Sequence, residues 1–376
     1  MGIFVTLQVK CNQYNCFSKV KRLVDILRDT HHLEAQDYAA LLSAPNGDEV
    51  AYLRQQAQQV AVDNFGHGIF VRGLVEVTNV CRNDCLYCGI RKSNPHIDRY
   101  MLTHDEVMQC CQQGHDIGFH TFVLQGGELP RDKAQWIEEL VTDIRASWPD
   151  CAITLSLGEW PREVYERWHR AGADRYLLRH ETHNPAHYAT LHPASMSLTT
   201  RLQCLDALKQ VGYQVGTGIM VGSPGQTLDH LVEDIQYIEQ LKPHMIGLGP
   251  FVPHHDTPLA HHPTGSADIT TRLYAIFRLM FPKVLIPSTT ALNSIDPNGR
   301  LMGIEAGANV VMPNLSPALF RDQYSLYDGK AATHAEAAEG IKMLQGQLAT
   351  IGYHINWGRG DSPVFCNNNS LNTNNP

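Results

Sequence analysis

Three thiols stand within eight residues, Cys81-Arg82-Asn83-Asp84-Cys85-Leu86-Tyr87-Cys88. They follow the apolar run Gly73-Leu74-Val75-Glu76-Val77-Thr78, which reads as a strand, so the cysteines open a loop at a strand end. Thiolates this close together ligate zinc or an iron–sulfur cluster. A closed structural zinc site takes four ligands, commonly two cysteine pairs, whereas this stretch offers three spaced CxxxCxxC. A cubane [4Fe–4S] cluster on three cysteines keeps one iron open to an exogenous ligand, which makes it a reaction site. Tyr87, between the last two thiols, is placed to shield such a cluster from water.

Further residues of chemical interest recur at the ends of apolar runs. Gln125-Gly126-Gly127-Glu128 joins glycines, which allow close backbone approach, to a carboxylate that can accept from an ammonium. Ser156-Leu157-Gly158-Glu159-Trp160-Pro161-Arg162 reads as a strand end, a turn and a proline-started helix. Arg175 and Arg179 lie four apart on a strand and so share a face, with Arg175 the deeper and Arg179 at the mouth. A guanidinium inside a fold needs an anion; a charged ligand or an internal bridge to Glu181 would supply it. The glycines of 216–225 suit a flat group such as adenine. His254, His255 and Asp256 are metal-capable types, though a proline-bounded loop with surface histidines is the simpler reading. Cys110, Cys111, Cys151 and Cys204 fall on helices or strands and read as core thiols.

The elements that position these residues alternate strand and helix eight times. Apolar runs occupy 73–78, 119–124, 151–157, 175–179, 213–221, 245–249, 284–288 and 308–312. Helical patterns begin near Thr103, Arg131, Pro161, Ser197, Thr227, Ala267, Gly299 and His334. Thr103-His104-Asp105-Glu106 fits a capping box, and Gly118, Gly172 and Gly212 stand where helices should stop. The expectation is an α/β fold, a (βα)8 TIM-type barrel over 67–360, with active residues at the C-terminal strand ends. An open doubly wound sheet is the runner-up. Before the barrel come an arm at 1–18 and a helical extension at 19–66; an Asn-rich tail at 361–376 reads as disordered.

The chain has 376 residues, 43% of them hydrophobic, enough for a large core. A net charge of −8 without a basic block argues against a nucleic-acid partner. No apolar run reaches the roughly 20 residues that span a membrane, and the opening residues do not read as a signal peptide. Ten cysteines, sparse outside the triad, fit a reduced, cytoplasmic, metal-binding protein better than a disulfide framework.

The CxxxCxxC spacing resembles the radical S-adenosylmethionine (SAM) enzymes. Within them, VxxxCRNDCLYCGIRKSN, SLGEWPRE, ADRYLLRHET, MVGSPGQT, GPFVPHHDTPLA, ANVVMPN and YSLYDGK resemble the FeFe-hydrogenase maturases of the HydE type, with biotin synthase and methylornithine synthase more distant. The resemblance implies that Cys81, Cys85 and Cys88 hold a [4Fe–4S] cluster and that the open iron chelates SAM, whose reductive cleavage gives a 5′-deoxyadenosyl radical. It implies that Gly126, Gly127 and Glu128 line the SAM amino group, and that Glu181 and Arg201 together bind the methionine end of SAM. Arg175, Arg179, Thr289, Thr290, Tyr324 and Tyr327 would face a substrate anion. The implied substrate is an organometallic iron species carrying cysteine, or another small amino-acid-derived molecule. The implied partners are other hydrogenase maturation proteins, among them a scaffold GTPase, and a flavodoxin or ferredoxin as electron donor. Some members hold a second cluster after the YSLYDGK stretch; Lys330–Ala338 here lacks cysteine, so one cluster is expected. Arg359-Gly360-Asp361 is an adhesion-like tripeptide, and as such a motif it is expected to be incidental.

Overall fold

The computed structural model describes residues 19–330 and 337–365. The 1–18 arm, the helix start near His334 and residues 366–376 of the tail lie outside them. Eleven strands occur among the described residues: β1 (Gly68–Val71), β2 (Gly73–Thr78), β3 (Thr121–Gly126), β4 (Ala152–Ser156), β5 (Arg175–Leu177), β6 (Gln214–Thr217), β7 (Met220–Val221), β8 (Met245–Ile246), β9 (Gly249–Pro250), β10 (Val310–Val311) and β11 (His354–Asn356). Strands β2, β3, β4, β5, β6 and β8 form one parallel ladder in that order. Parallel bridges from Met245 to Leu285, from Pro287 to Val310 and from Leu74 to Asn314 carry the ladder round to its start. The eight apolar runs thus become the eight staves of the expected α/β barrel. They are apolar throughout because helices cover one face while the other fills the interior.

Helix boundaries follow the capping chemistry. The Thr103 side chain accepts from the Glu106 N–H while Glu106 reaches back to the Thr103 backbone, so helix His104–Ile117 opens on a full capping box. It closes at Gly118, whose φ of +111° suits a residue without Cβ.

Helices at 19–30, Ala35–Ser43 and Asp48–Phe65 pack over helix Ala267–Met280, leaving every residue from Thr270 to Met280 buried. Arg272 donates to the carbonyls of Leu42 at 3.0 Å and Ala44 at 2.5 Å, satisfying acceptors where helix Ala35–Ser43 ends.

The N-terminal end of the barrel has a floor, and there two sequence expectations are corrected. Arg175 is wholly buried at the start of β5, and its Nη2 lies 2.6 Å from Asp361 Oδ1. It also donates to the Arg359 carbonyl at 2.8 Å and to Thr121 Oγ1 at 3.2 Å. Gln214 Nε2 donates to the same Asp361 oxygen at 2.8 Å. Arg175 therefore does not face a substrate; its anion is internal. Arg359-Gly360-Asp361 has a structural part in the same floor. Arg359 bridges Asp174 at 2.5 Å and Asp361 at 2.7 Å, and Arg72 donates to the Gly360 carbonyl at 3.3 Å. Burial alone would raise the Asp361 carboxyl, yet Arg175 and Gln214 bring it down to about 2. Residues 361–365 of the tail belong to this packed floor, because a buried guanidinium requires its carboxylate.

Candidate active site

At the opposite end of the barrel, β2 leads into the cysteine loop, which is pinned at both ends. Asn79 donates to the carbonyls of Asp98 and Gln323, both at 2.8 Å, and accepts from the Tyr100 N–H at 2.8 Å. Arg99 clasps the loop from beneath through the carbonyls of Asn79 and Ile90 at 2.8 Å and of Arg91 at 2.5 Å. Asp84 accepts from Arg91 at 2.8 Å and from the Ser93 hydroxyl at 2.8 Å. Held in this frame, Cys81, Cys85 and Cys88 are free thiols, each half-buried. Burial pushes all three upward, Cys88 to about 12, and their mutual repulsion adds to it for Cys85 and Cys88. Thiols gathered so closely need a bound cation to ionise together.

The glycine-rich segment after β3 packs directly on this loop. A Cβ at Gly127 would lie 2.3 Å from the Val80 carbonyl oxygen and 2.9 Å from Cys81 Cβ, so the approach requires glycine. Glu128 is almost fully buried and accepts from Arg82, from Asn83 at 2.9 Å and from the Glu159 N–H at 2.9 Å. It braces the cysteine loop against the turn after β4. Gly158 completes that turn at φ +79°, where a Cβ would stand 2.2 Å from Glu128 Oε2.

Glu181 and Arg201, the two residues implied for the methionine end of SAM, each have a partner of opposite charge within the protein. Arg201 Nε lies 2.6 Å from Glu159 Oε1, and its Nη1 donates to the Arg179 carbonyl at 2.7 Å. Glu181 has its Oε2 2.9 Å from Arg179 Nη2, although the two are not aligned as a hydrogen bond. Arg179 also donates to the Ile219 carbonyl at 2.6 Å and retains a third of its side-chain surface. It stands past the end of β5 at the mouth, as the strand alternation predicts.

Across the mouth, the Thr289 N–H donates to Tyr274 Oη at 3.2 Å, and Thr289 Oγ1 lies 3.4 Å from the same atom. Thr290 begins the next helix. Burial raises the Tyr327 phenol to about 12, and the Arg179 charge acts on both Tyr327 and Tyr274. Tyr324 is buried, 3.4 Å from Gln125 Nε2.

Two participants were not assigned from the sequence. Glu159 lay inside a recognised motif without a role. Glu76, in the middle of β2, is fully buried, accepts from Asn314 at 2.9 Å and pairs with Lys330 Nζ at 2.5 Å. A charged residue amid the strand Leu74-Val75-Glu76-Val77 was the available signal. His254 is also corrected: it is 2% exposed, not a surface histidine.

The arrangement fits a cluster with a polar, charged ligand beside it. Near Tyr87, the ring of His192 packs edge-on at 5.6 Å and stacks on Tyr188 at 3.8 Å. Tyr188 Oη and His192 Nε2 are buried without a hydrogen-bond partner. Buried polar atoms of this kind call for a partner. Three thiols, an unpartnered phenol and imidazole nitrogen, and both signs of charge lie around the cysteine loop.

Residues 75–238 match the model of the Radical SAM superfamily. The [FeFe] hydrogenase maturase subunit HydE of Thermotoga maritima is 42% identical over 296 residues, covering 79% of this chain and 84% of that protein. The chain belongs to the radical SAM superfamily. It is a radical SAM enzyme. The 3-methylornithine synthase of Methanosarcina acetivorans is 28% identical, over 74% of this chain and 79% of its own. Among solved structures, methylornithine synthase superposes with a TM-score of 0.78 at 26% identity, covering 89% of this chain and 97% of that one. The FeFe-hydrogenase maturase HydG from Carboxydothermus hydrogenoformans gives 0.77 at 20% identity over 98% and 85%, a likeness of fold. Among the described residues no helix is long and apolar enough to cross a membrane.

Proposed function

We propose that this chain is a maturase that acts in assembling the diiron subcluster of FeFe-hydrogenase, in the cytoplasm. The 42% identity to a HydE maturase over most of both chains carries this reading. Cys81, Cys85 and Cys88 would hold a [4Fe–4S] cluster, with SAM on its open iron. When bound, the two supply a 5′-deoxyadenosyl radical. The chain's residues then have defined tasks. The Gly126–Gly127 backbone and Glu181 receive the amino-acid end of SAM, and Arg201, fixed by Glu159, offers its remaining donors to the carboxylate. Arg179 is the principal cation for the substrate, with Thr289, Thr290, Tyr324 and Tyr327 around it. Tyr87 and the buried rings behind it exclude water from the thiols. The substrate is a small organometallic iron species derived from cysteine. Its product passes to other maturation proteins, including a scaffold GTPase, and a flavodoxin or ferredoxin supplies electrons.

The test is a maturation assay with apo-hydrogenase and the remaining maturation proteins, with and without the anaerobically reconstituted chain. Hydrogenase activity that depends on the chain, together with deoxyadenosine formed from SAM, is the expected result. Equal maturation by the Cys81→Ala variant would refute it.

A further inference from the structure

On the rim, beside the loop that carries the thiols, a second group of metal-capable side chains is drawn from separate parts of the chain; a Cβ at Gly89, next to Cys88, would meet the His254 ring at 2.3 Å. We propose that His254, His255 and Asp328 form a binding site for one first-row divalent cation, of the Zn2+ or Fe2+ class. Each residue offers a ligand atom within 4.8 Å of the other two. The histidines belong to the loop after β9, and Asp328 to the segment 322–330 that also carries Tyr324 and Tyr327. Their convergence depends on the fold, because 73 residues separate His255 from Asp328.

The surroundings are those of a supported site. His255 Nδ1 lies 2.7 Å from Asp328 Oδ1, and the other Asp328 oxygen accepts from the His255 N–H at 2.9 Å. The carboxylate is thus oriented with one oxygen directed at the imidazole. On the far side of that ring, His255 Nε2 lies 3.3 Å from Asp256 Oδ2, while Asp256 Oδ1 lies 2.9 Å from His96 Nδ1. A carboxylate on the distal nitrogen of a histidine is the usual outer partner of a metal-bound imidazole, fixing its tautomer and raising its basicity. His254 is buried and stacks on His255 with centroids 4.4 Å apart and planes at 19°, so the rings move together little. The Asp328 N–H donates to the Pro253 carbonyl at 3.0 Å, which holds the two segments in register.

Imidazole and carboxylate donors without thiolate select Zn2+, Fe2+, Co2+ or Ni2+ over Cu(I) and iron–sulfur clusters. Binding replaces the proton between His255 and Asp328 with the cation; that proton leaves to solvent, and no electron is transferred. Three protein ligands leave coordination open for water or a small anionic ligand. The metal would tie the loop after β9 to the segment bearing the two tyrosines, and so steady that side of the mouth.

The experiment uses the full-length, tag-free chain loaded with its cluster, so that the thiolates are occupied, and cleared of loose metal over a chelating resin. Zn2+ is titrated in by calorimetry against a competing chelator. The expected result is one equivalent bound beyond the cluster, at submicromolar dissociation constant. His255→Ala and Asp328→Ala should abolish that equivalent, and Asp256→Asn should weaken it about ten- to a hundredfold. His261→Ala, in the same loop and exposed, should change nothing. Absence of a stoichiometric site, or the same affinity in His255→Ala and Asp328→Ala as in the parent, would overturn the proposal.

Discussion

Arg179 Nη2 lies 2.9 Å from Glu181 Oε2, and Glu181 holds a left-handed backbone at φ +67°. That conformation costs a residue with a Cβ about 1–2 kcal/mol. It is held because the Gly218 carbonyl accepts from both the His180 and Glu181 N–H groups, at 3.0 and 3.1 Å, while the Met220 N–H returns to the Glu181 carbonyl at 3.1 Å. Strain maintained in this way points to a side chain that must be aimed. Arg179→Ala is expected to retain the cluster and most uncoupled SAM cleavage. Hydrogenase maturation should fall by about ten- to a hundredfold, the size of a lost charged hydrogen bond. Normal maturation by this variant, with deoxyadenosine and hydrogenase activity measured side by side, would remove Arg179 from the substrate site.

Glu159 and Arg201 form a buried pair at 2.6 Å, with side chains 10% and 9% exposed. Removing one member leaves the other charge buried alone, at a cost of about 3–5 kcal/mol. Glu159→Ala should therefore lower the melting temperature and weaken SAM binding together. Glu159→Gln keeps the shape and a hydrogen bond and should recover part of both. Calorimetric SAM affinity beside a thermal melt distinguishes this from a role in folding alone, in which binding at low temperature would be unchanged.

For the cysteines, replacement of Cys81, Cys85 or Cys88 by Ala should leave a folded chain without a cluster and without deoxyadenosine formation. The parent should take up about four irons, as one cubane requires. Close to eight irons, lost when cysteines outside the triad are replaced, would show a second cluster.

The floor supplies a pH test. The folded Asp361 carboxyl is brought down to about 2, below the roughly 3.9 of a free aspartate. Its ionised form therefore stabilises the fold above about pH 4, and that contribution is lost as pH falls towards the folded value. Asp361→Asn should melt lower than the parent at pH 7, and the gap should narrow in melts run from pH 5 downward. A gap independent of pH would mean that the ion pair with Arg175 contributes nothing.

The barrel, its eight staves and most helix starts were legible because apolar runs, caps and turn glycines act over a few residues. The cysteine motif was legible for the same reason. What escaped were pairs made by the closed fold. Alternation along 175–179 places Arg175 and Arg179 on one face, but it cannot say what occupies the far end of that face. Asp361, 186 positions on from Arg175, supplies the answer. The bridge from Arg179 to Glu181 was among the readings open to the sequence, but the partnership of Glu159 with Arg201 was not. Those two charges sit on a turn after β4 and on helix Leu198–Val211, 42 residues apart, and only the closed fold brings them together.

The packed floor makes the barrel a blind tube. On the proposed function, whatever reacts deep inside would arrive and depart through the end that bears the thiols, so a substrate seated below SAM would enter first and leave last. Such a queue converts a static plug of Arg359, Gly360 and Asp361 into a kinetic rule: order of addition. Opening the floor by substitution at Asp361 would offer a second exit, and product-inhibition patterns would then change from ordered towards random.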